Sequence, residues 1–123
     1  MNKHKKPILV LDDDPDIGMM IKIILEHYGY SVTVTERAEK AAELMQQNNF
    51  ALLIMDMLLS GANGVDICSR LKKDTRFSQI PVLMISAHCN AKDLCLNAGA
   101  EDFIAKPFDM KEMILKIDHL IAV

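Results

Sequence analysis

Apolar residues fall in short bursts separated by polar turns, and the spacing inside the bursts alternates between two kinds. Ile8-Leu9-Val10-Leu11 is an unbroken apolar run, the pattern of a strand covered on both faces. Behind Pro15, apolar residues at Ile17, Met20, Ile21, Ile24, Leu25 and Tyr28 are spaced three and four apart, which predicts a helix stopped by Gly29. The cycle then repeats. Ser31–Thr35 reads as a β-branched strand, and Ala38, Ala41, Ala42 and Met45 mark a helix. Ala51–Met55 is a second fully buried strand, followed by a turn of small residues (Ser60, Gly61, Asn63, Gly64) and a helix carrying Val65, Cys68 and Leu71 on one side. Pro81 opens a fourth strand, Val82–Ile85. Ala91, Leu94, Cys95 and Ala98 give a short helix closed by Gly99; Phe103–Ala105 is a fifth strand, and Met110, Met113, Ile114, Ile117 and Ile121 a last helix. Five β-α units in a row predict an α/β fold with a parallel sheet and helices on both faces.

Length fits that picture without strain. A chain of 123 residues, 50% hydrophobic and 25% charged, can bury a core without disulfides or a structural metal, and nothing in it reads as a linker or a repeat, so residues 1–123 are expected to form one domain. The net charge of −3 offers no electrostatic footprint for nucleic acid or an anionic membrane. The three cysteines, Cys68, Cys89 and Cys95, form no CxxC pair and sit in apolar or helical contexts, as reduced packing thiols of a cytoplasmic protein would. The basic start, including Lys3, Lys5 and Lys6, precedes an apolar run too short for a signal peptide or a membrane span.

Candidate chemistry lies where the strands end. Right-handed crossovers send every strand's C-terminal end to one edge of the sheet, where open α/β sheets bind their ligands. The first strand ends in Asp12-Asp13-Asp14, the third in Asp56, the fourth in Ser86-Ala87 and the fifth in Lys106-Pro107. Asp14 and Asp16 have an ordinary role open to them as helix cap and first-turn residues. Asp56 does not, because it follows Leu52-Leu53-Ile54-Met55 and no helix starts before about Asn63. Crowded carboxylates repel, and at least one should show a raised pKa unless a cation relieves it. Mg²⁺, which takes one or two carboxylates together with waters and phosphate oxygens, suits such a cluster. The pattern therefore predicts a metal site with room for a phosphoryl group.

These segments, Ile8 through Pro15, Asp56 through Gly64, Pro81 through Ala87 and Lys106-Pro107-Phe108, resemble the receiver domain of two-component response regulators (CheY-like), from about Pro7 to Leu120. The resemblance implies a flavodoxin-like (βα)5 three-layer sandwich with strand order 2-1-3-4-5, an order the handedness rules alone do not supply. It implies that Asp56 accepts phosphate from a histidine kinase or a phosphotransfer protein. Asp13 would bind Mg²⁺ directly, Asp12 mainly through water, and Asp56 and the Leu58 carbonyl would complete the metal set. Lys106 and Ser86 would contact the phosphoryl oxygens, and Ala87 and Phe103 would complete the phosphate-responsive set, Phe103 as an aromatic switch. The face from about Ala91 to Ile121 would report the change to a downstream effector or a second copy in a homodimer. Such a chain is not an enzyme toward other molecules; it catalyses only its own phosphorylation and dephosphorylation.

Departures from the family pattern are Ser60 where proline is common, Ser86 for threonine, and Phe103 for tyrosine; His88 stands where it could affect water access to a phosphoryl group. Three other folds or roles share part of this pattern. A haloacid-dehalogenase-type phosphatase shares the Asp-x-Asp spacing, but this chain lacks the late acidic pair that such an enzyme uses for metal. A nucleotide-binding domain needs a glycine-rich first loop, where this chain has Asp-Asp-Asp-Pro. A receiver-like module acting without phosphorylation would not need the intact set Asp12, Asp13, Asp56, Ser86 and Lys106.

Overall fold

The computed structural model describes residues 6–59, 61–88 and 90–121. The elements alternate as expected: β1 (Pro7–Leu11), α1 (Pro15–His27), β2 (Ser31–Thr35), α2 (Ala38–Gln47), β3 (Leu52–Asp56), α3 (Gly64–Lys73), β4 (Val82–Ser86), α4 (Ala91–Asn97), β5 (Asp102–Ala105) and α5 (Met110–Ile121). The five strands pair in parallel in the order β2-β1-β3-β4-β5. One addition was not legible in the sequence: Leu58–Leu59 and Ala62–Asn63 form a small antiparallel ladder between β3 and α3. The expectations for Ser60, Cys89 and the residues before Lys6 lie outside the described residues.

Each central strand sends alternate side chains to opposite faces, as the two-residue period of a strand requires. Leu9, Leu11, Leu53, Met55, Met84 and Phe103 pack on one face beneath α2, α3 and α4. Ile8, Val10, Leu52, Ile54, Leu83 and Ile104 pack on the other beneath α1 and α5. The result is three layers, helices over sheet over helices. Cys68 and Cys95 are buried free thiols in the first of these cores, as packing residues should be.

Three residues assigned to buried helical stripes face solvent instead: Met20, Tyr28 and Leu94. For Met20 the cause is Gly18. A Cβ at Gly18 would come within 2.7 Å of Val34 Cγ1, so α1 lies close against β2 and its buried stripe runs through Gly18, Ile21 and Leu25, which turns Met20 outward. Tyr28 caps α1 rather than belonging to it, with its N–H donating back to the Ile24 and Leu25 carbonyls. α4 buries only Ala91 and Cys95, a stripe too narrow to include Leu94. Asp14, by contrast, caps α1 as anticipated, accepting from the Asp16 and Ile17 N–H groups.

Candidate functional site

Ladder hydrogen bonds fix the strand ends where the polar residues sit. The Asp12 N–H donates to the Thr35 carbonyl at 3.1 Å, carrying the β1–β2 register one residue past Leu11. β3 and β4 each extend one residue beyond the apolar runs read from the sequence, so Asp56 and Ser86 are themselves strand residues. The Met57 N–H donates to Ile85 O and the Lys106 N–H to Ser86 O, both at 2.8 Å. The backbone that carries the candidate nucleophile, hydroxyl and ammonium is thus held by the sheet rather than by loops. The Lys106–Pro107 peptide is cis.

Lys106 reaches across β4 to Asp56, and its Nζ lies 2.6 Å from Asp56 Oδ2. The other carboxylate oxygen, Oδ1, accepts from the Leu58 N–H at 3.1 Å. Asp56 is therefore oriented at both oxygens while remaining 8% exposed at the sheet edge. Ser86 is buried, and its Oγ accepts from the His88 N–H at 2.9 Å. That bond uses a lone pair and leaves the hydroxyl hydrogen to donate elsewhere. His88 itself is exposed, its Nδ1 accepting from the Asn90 N–H. Ala87 is exposed at the same edge. Phe103 points inward, sharing a core with Met84, Ala91 and Cys95 directly under the start of α4.

Asp12 is the buried carboxylate of the group. Its Oδ1 accepts from the Asp14 N–H at 2.9 Å, whereas Oδ2 is buried with no hydrogen-bond partner among the described residues. Burial is the main reason its pKa lies above the ordinary carboxylate value; the Asp14 N–H pulls it down, Asp56 and Asp13 push it up, and Lys106 pulls it down. The raised carboxylate expected from crowding is therefore present, but repulsion is the smaller cause and desolvation the larger.

An unpartnered anionic oxygen in a buried position calls for a cation. Asp12, Asp13, Asp56 and the Leu58 carbonyl supply only hard oxygen donors, the chemistry Mg²⁺ prefers. Among the described residues no three acidic, His or Cys side chains form a ready cage. Mg²⁺ ordinarily takes one or two carboxylates together with several waters and phosphate oxygens. The donor set therefore fits the expected ion.

Two features of the site escaped the sequence reading. Gly64 was assigned only to a turn of small residues, yet its N–H donates to Met57 O at 2.7 Å, and a Cβ there would lie 2.5 Å from Asp56 O. Only a residue without a side chain lets α3 start against the backbone of Asp56 and Met57. The Asn63-Gly64 pair was the available signal, and Asn63 indeed caps α3 through the Val65 N–H. The end of β2 was also passed over. There Thr35 is buried, and Glu36 and Arg37 line a cavity of about 510 Å³ shared with Asp13, Leu59, Gly61 and Ala62.

Comparison with known proteins agrees with this geometry. The family model for the response regulator receiver domain matches residues 8–118. The chain is 36% identical over 116 residues to the DNA-binding dual master transcriptional regulator RpaA of Synechocystis, covering 93% of this chain and 48% of that protein. A histidine kinase of Formosa agariphila is 33% identical across 97% of this chain, which spans only 9% of the kinase. The chain thus spans about half the length of the regulators it matches, and much less of the kinase. Among solved structures, the response regulator TrrA of Thermotoga maritima, in complex with Mg²⁺ and BeF, superimposes with a TM-score of 0.84 at 28% identity, covering 94% of this chain and 98% of that one.

Proposed function

This chain belongs to the response regulator receiver domain family of two-component systems, and from that premise we propose that Asp56 is its phosphoacceptor, with Asp12, Asp13 and the Leu58 carbonyl holding Mg²⁺ beside it. The observation that carries the reading is the pairing of Asp56 with Lys106 at 2.6 Å at the edge of the sheet, next to the buried Ser86 hydroxyl and the unpartnered Asp12 Oδ2.

Each residue has a definite part. An Asp56 oxygen attacks phosphorus; the new Asp56 O–P bond forms as the donor's bond to phosphorus breaks, and the bonding pair leaves with the donor group. Bound Mg²⁺ supplies charge neutralisation at the transferring phosphoryl group. Lys106, already paired with Asp56, shifts its ammonium onto a phosphoryl oxygen, and Ser86 donates its hydroxyl hydrogen to another. Ser86 is tied to His88, so drawing the serine inward also draws the β4–α4 loop. Phe103 shares a core with Ala91 at the start of α4 and repacks with it. Ala87, exposed between Ser86 and His88, moves with them.

The chemistry is confined to Asp56 of the chain itself, so the molecule is a switch and not an enzyme acting on separate substrates. The phosphate source is a histidine kinase or a phosphotransfer protein, and the output passes through the face spanning about Ala91 to Ile121 to an effector or to a second copy. We place this work in the cytoplasm, where a histidine kinase's phosphotransfer partners are expected, with residues 1–123 as one receiver unit.

Intact mass after incubation with a small phosphodonor tests the reading. One phosphoryl adduct is expected in Mg²⁺, absent in chelator and absent in Asp56→Asn. An adduct that survives in Asp56→Asn would assign the wrong nucleophile. Mg²⁺ binding without any adduct would favour a module that acts without phosphorylation.

A further inference from the structure

A groove of about 320 Å³ lies between α2 and α3, away from the phosphorylation site. Its apolar lining is Ala38 and Ala42 from α2, Ile67 and Leu71 from α3, and Phe77 from the turn behind α3. Of these only Phe77 is buried; the other four are half-buried, so the apolar wall reaches solvent. The charged groups on the rim are not alike. Arg76 is committed to Asp74, with Nε 3.1 Å from Oδ1 and Nη2 2.8 Å from Oδ2, and its guanidinium lies 4.8 Å from the centre of the Phe77 ring. Glu39 pairs with Arg37. Arg70 is exposed and has no carboxylate partner among the described residues; its Nε donates at 3.5 Å to the Asp66 carbonyl of its own helix. Both helices run back from the same edge of the sheet. Arg70, in the last turn of α3, therefore lies toward the Gln46 end of the groove, and Glu39, in the first turn of α2, toward the other.

We propose that this groove binds a small apolar carboxylate, with the ring or branched chain against Ala42, Ile67, Leu71 and Phe77 and the carboxylate on Arg70. Ligand pockets are mostly apolar, with a few polar groups that fix orientation, and 320 Å³ lies at the small end of their range. That room takes one ring or one branched chain. A partner helix would need a longer trough, because its anchors recur three and four residues apart over several turns. The sign of the ligand follows from Arg70, the rim charge left without a counter-ion. A guanidinium presents two parallel N–H groups that match a carboxylate in a fork, and it keeps its charge at every working pH. A cationic ligand would meet two arginines there, and a neutral one would gain nothing from Arg70. The groove shares no residue with Asp56, Lys106, Ser86 or the proposed Mg²⁺ set, so the inference stands or falls independently of the acceptor reading.

Backbone N–H chemical shifts of the full chain, titrated with 2-naphthoate and separately with its uncharged carboxamide, test the proposal. The acid should give saturating shifts at residues of α2 and α3 along the groove, with a Kd of about 1 mM, ordinary for so small a ligand. The carboxamide should bind about fivefold more weakly, the upper range for an exposed ion pair. Arg70→Gln should reduce the acid to the affinity of the carboxamide and leave the carboxamide unchanged within about twofold. Arg70→Lys, which keeps the charge but not the fork, should recover only part of the loss. Ala42→Leu fills the groove from a helix position that accepts leucine and should remove saturation with both compounds. Asp56→Asn should bind the acid as the unaltered chain does. Shifts that never saturate, equal affinity for acid and carboxamide, or an Arg70→Gln variant that holds the acid as tightly as the unaltered chain would each overturn the assignment.

Discussion

Asp12 holds one carboxylate oxygen where neither solvent nor a described donor reaches it, and that conflict has a measurable pH signature. Its folded-state pKa is raised, chiefly by burial, so the folded chain holds this proton more tightly than the unfolded chain does. The stabilisation is complete below the ordinary carboxylate value and is lost as pH rises through the raised one. In chelator, ionised Asp12 therefore weakens the fold at neutral pH. Asp12→Asn removes the ionisation while keeping the size and the acceptor for the Asp14 N–H. We expect the variant to melt above the unaltered protein at pH 7 and the gap to close toward pH 4, read by thermal denaturation at several pH values. A gap that widens on acidification would contradict the sign. If Asp12 holds Mg²⁺ as proposed, the same substitution should weaken Mg²⁺ binding, because it removes a charged ligand.

At the scale of elements, the end of the sheet away from the site is braced by a strut that the hydrophobic pattern does not encode. Lys72 on α3 donates to the Ser78 and Ile80 carbonyls and pairs with Glu101 at 2.7 Å, and Glu101 in turn accepts from the Val82 N–H at 2.7 Å. Gly99 leaves room for the lysine stem; a Cβ there would lie 2.8 Å from Lys72 Cγ. Glu101→Ala strands a backbone N–H at the start of β4 and removes the lysine's counter-ion, which should lower stability by about 1–2 kcal/mol in urea denaturation. Glu101→Gln keeps an acceptor for Val82 and should lose less. Because Val82 lies at the opposite end of β4 from Ser86, neither variant should change the rate of Asp56 phosphorylation, and a slowed rate would show that the two ends are coupled. The contrast explains what was legible in advance. Unbroken apolar runs reported the strands, and a polar residue just beyond each run reported the site, because strand periodicity and a shared sheet edge are local consequences of sequence. Partners far apart in the chain, such as Lys72 and Glu101, carry no local signal. Met20 was misplaced for a related reason: the approach of Gly18 to Val34 rotates α1, and that contact belongs to tertiary packing. Gly64 is the intermediate case, visible as a turn residue but not as the spacing element behind Asp56.

For the whole molecule, these residues form a balance of charge that an ion and a phosphoryl group can tip. Lys106 pairs with Asp56, burial holds the Asp12 pKa above the ordinary carboxylate value, and Phe103 is packed in the core under α4. On the proposed assignment, a phosphoryl group on Asp56 would offer Lys106 and Ser86 new acceptors available only in the rearranged state, and would shift the population by the difference in those contacts. On the same assignment Mg²⁺ would act on this balance before any phosphate arrives, since an ion that binds the folded chain stabilises it by about 2.7 kcal/mol when free ion is 100-fold above its Kd. Asp12 must be ionised to serve as a ligand, so binding releases the proton that burial favours and should weaken as pH falls. Thermal melts with and without Mg²⁺ are expected to show a rise in Tm that is larger at pH 8 than at pH 5 and that shrinks in Asp12→Asn. The pH dependence of the Mg²⁺ effect should flatten in that variant, because its amide has no proton to release. A rise that is equal at both pH values in the unaltered chain, or that keeps its pH dependence in Asp12→Asn, would remove Asp12 from the metal set and leave its buried oxygen without a role.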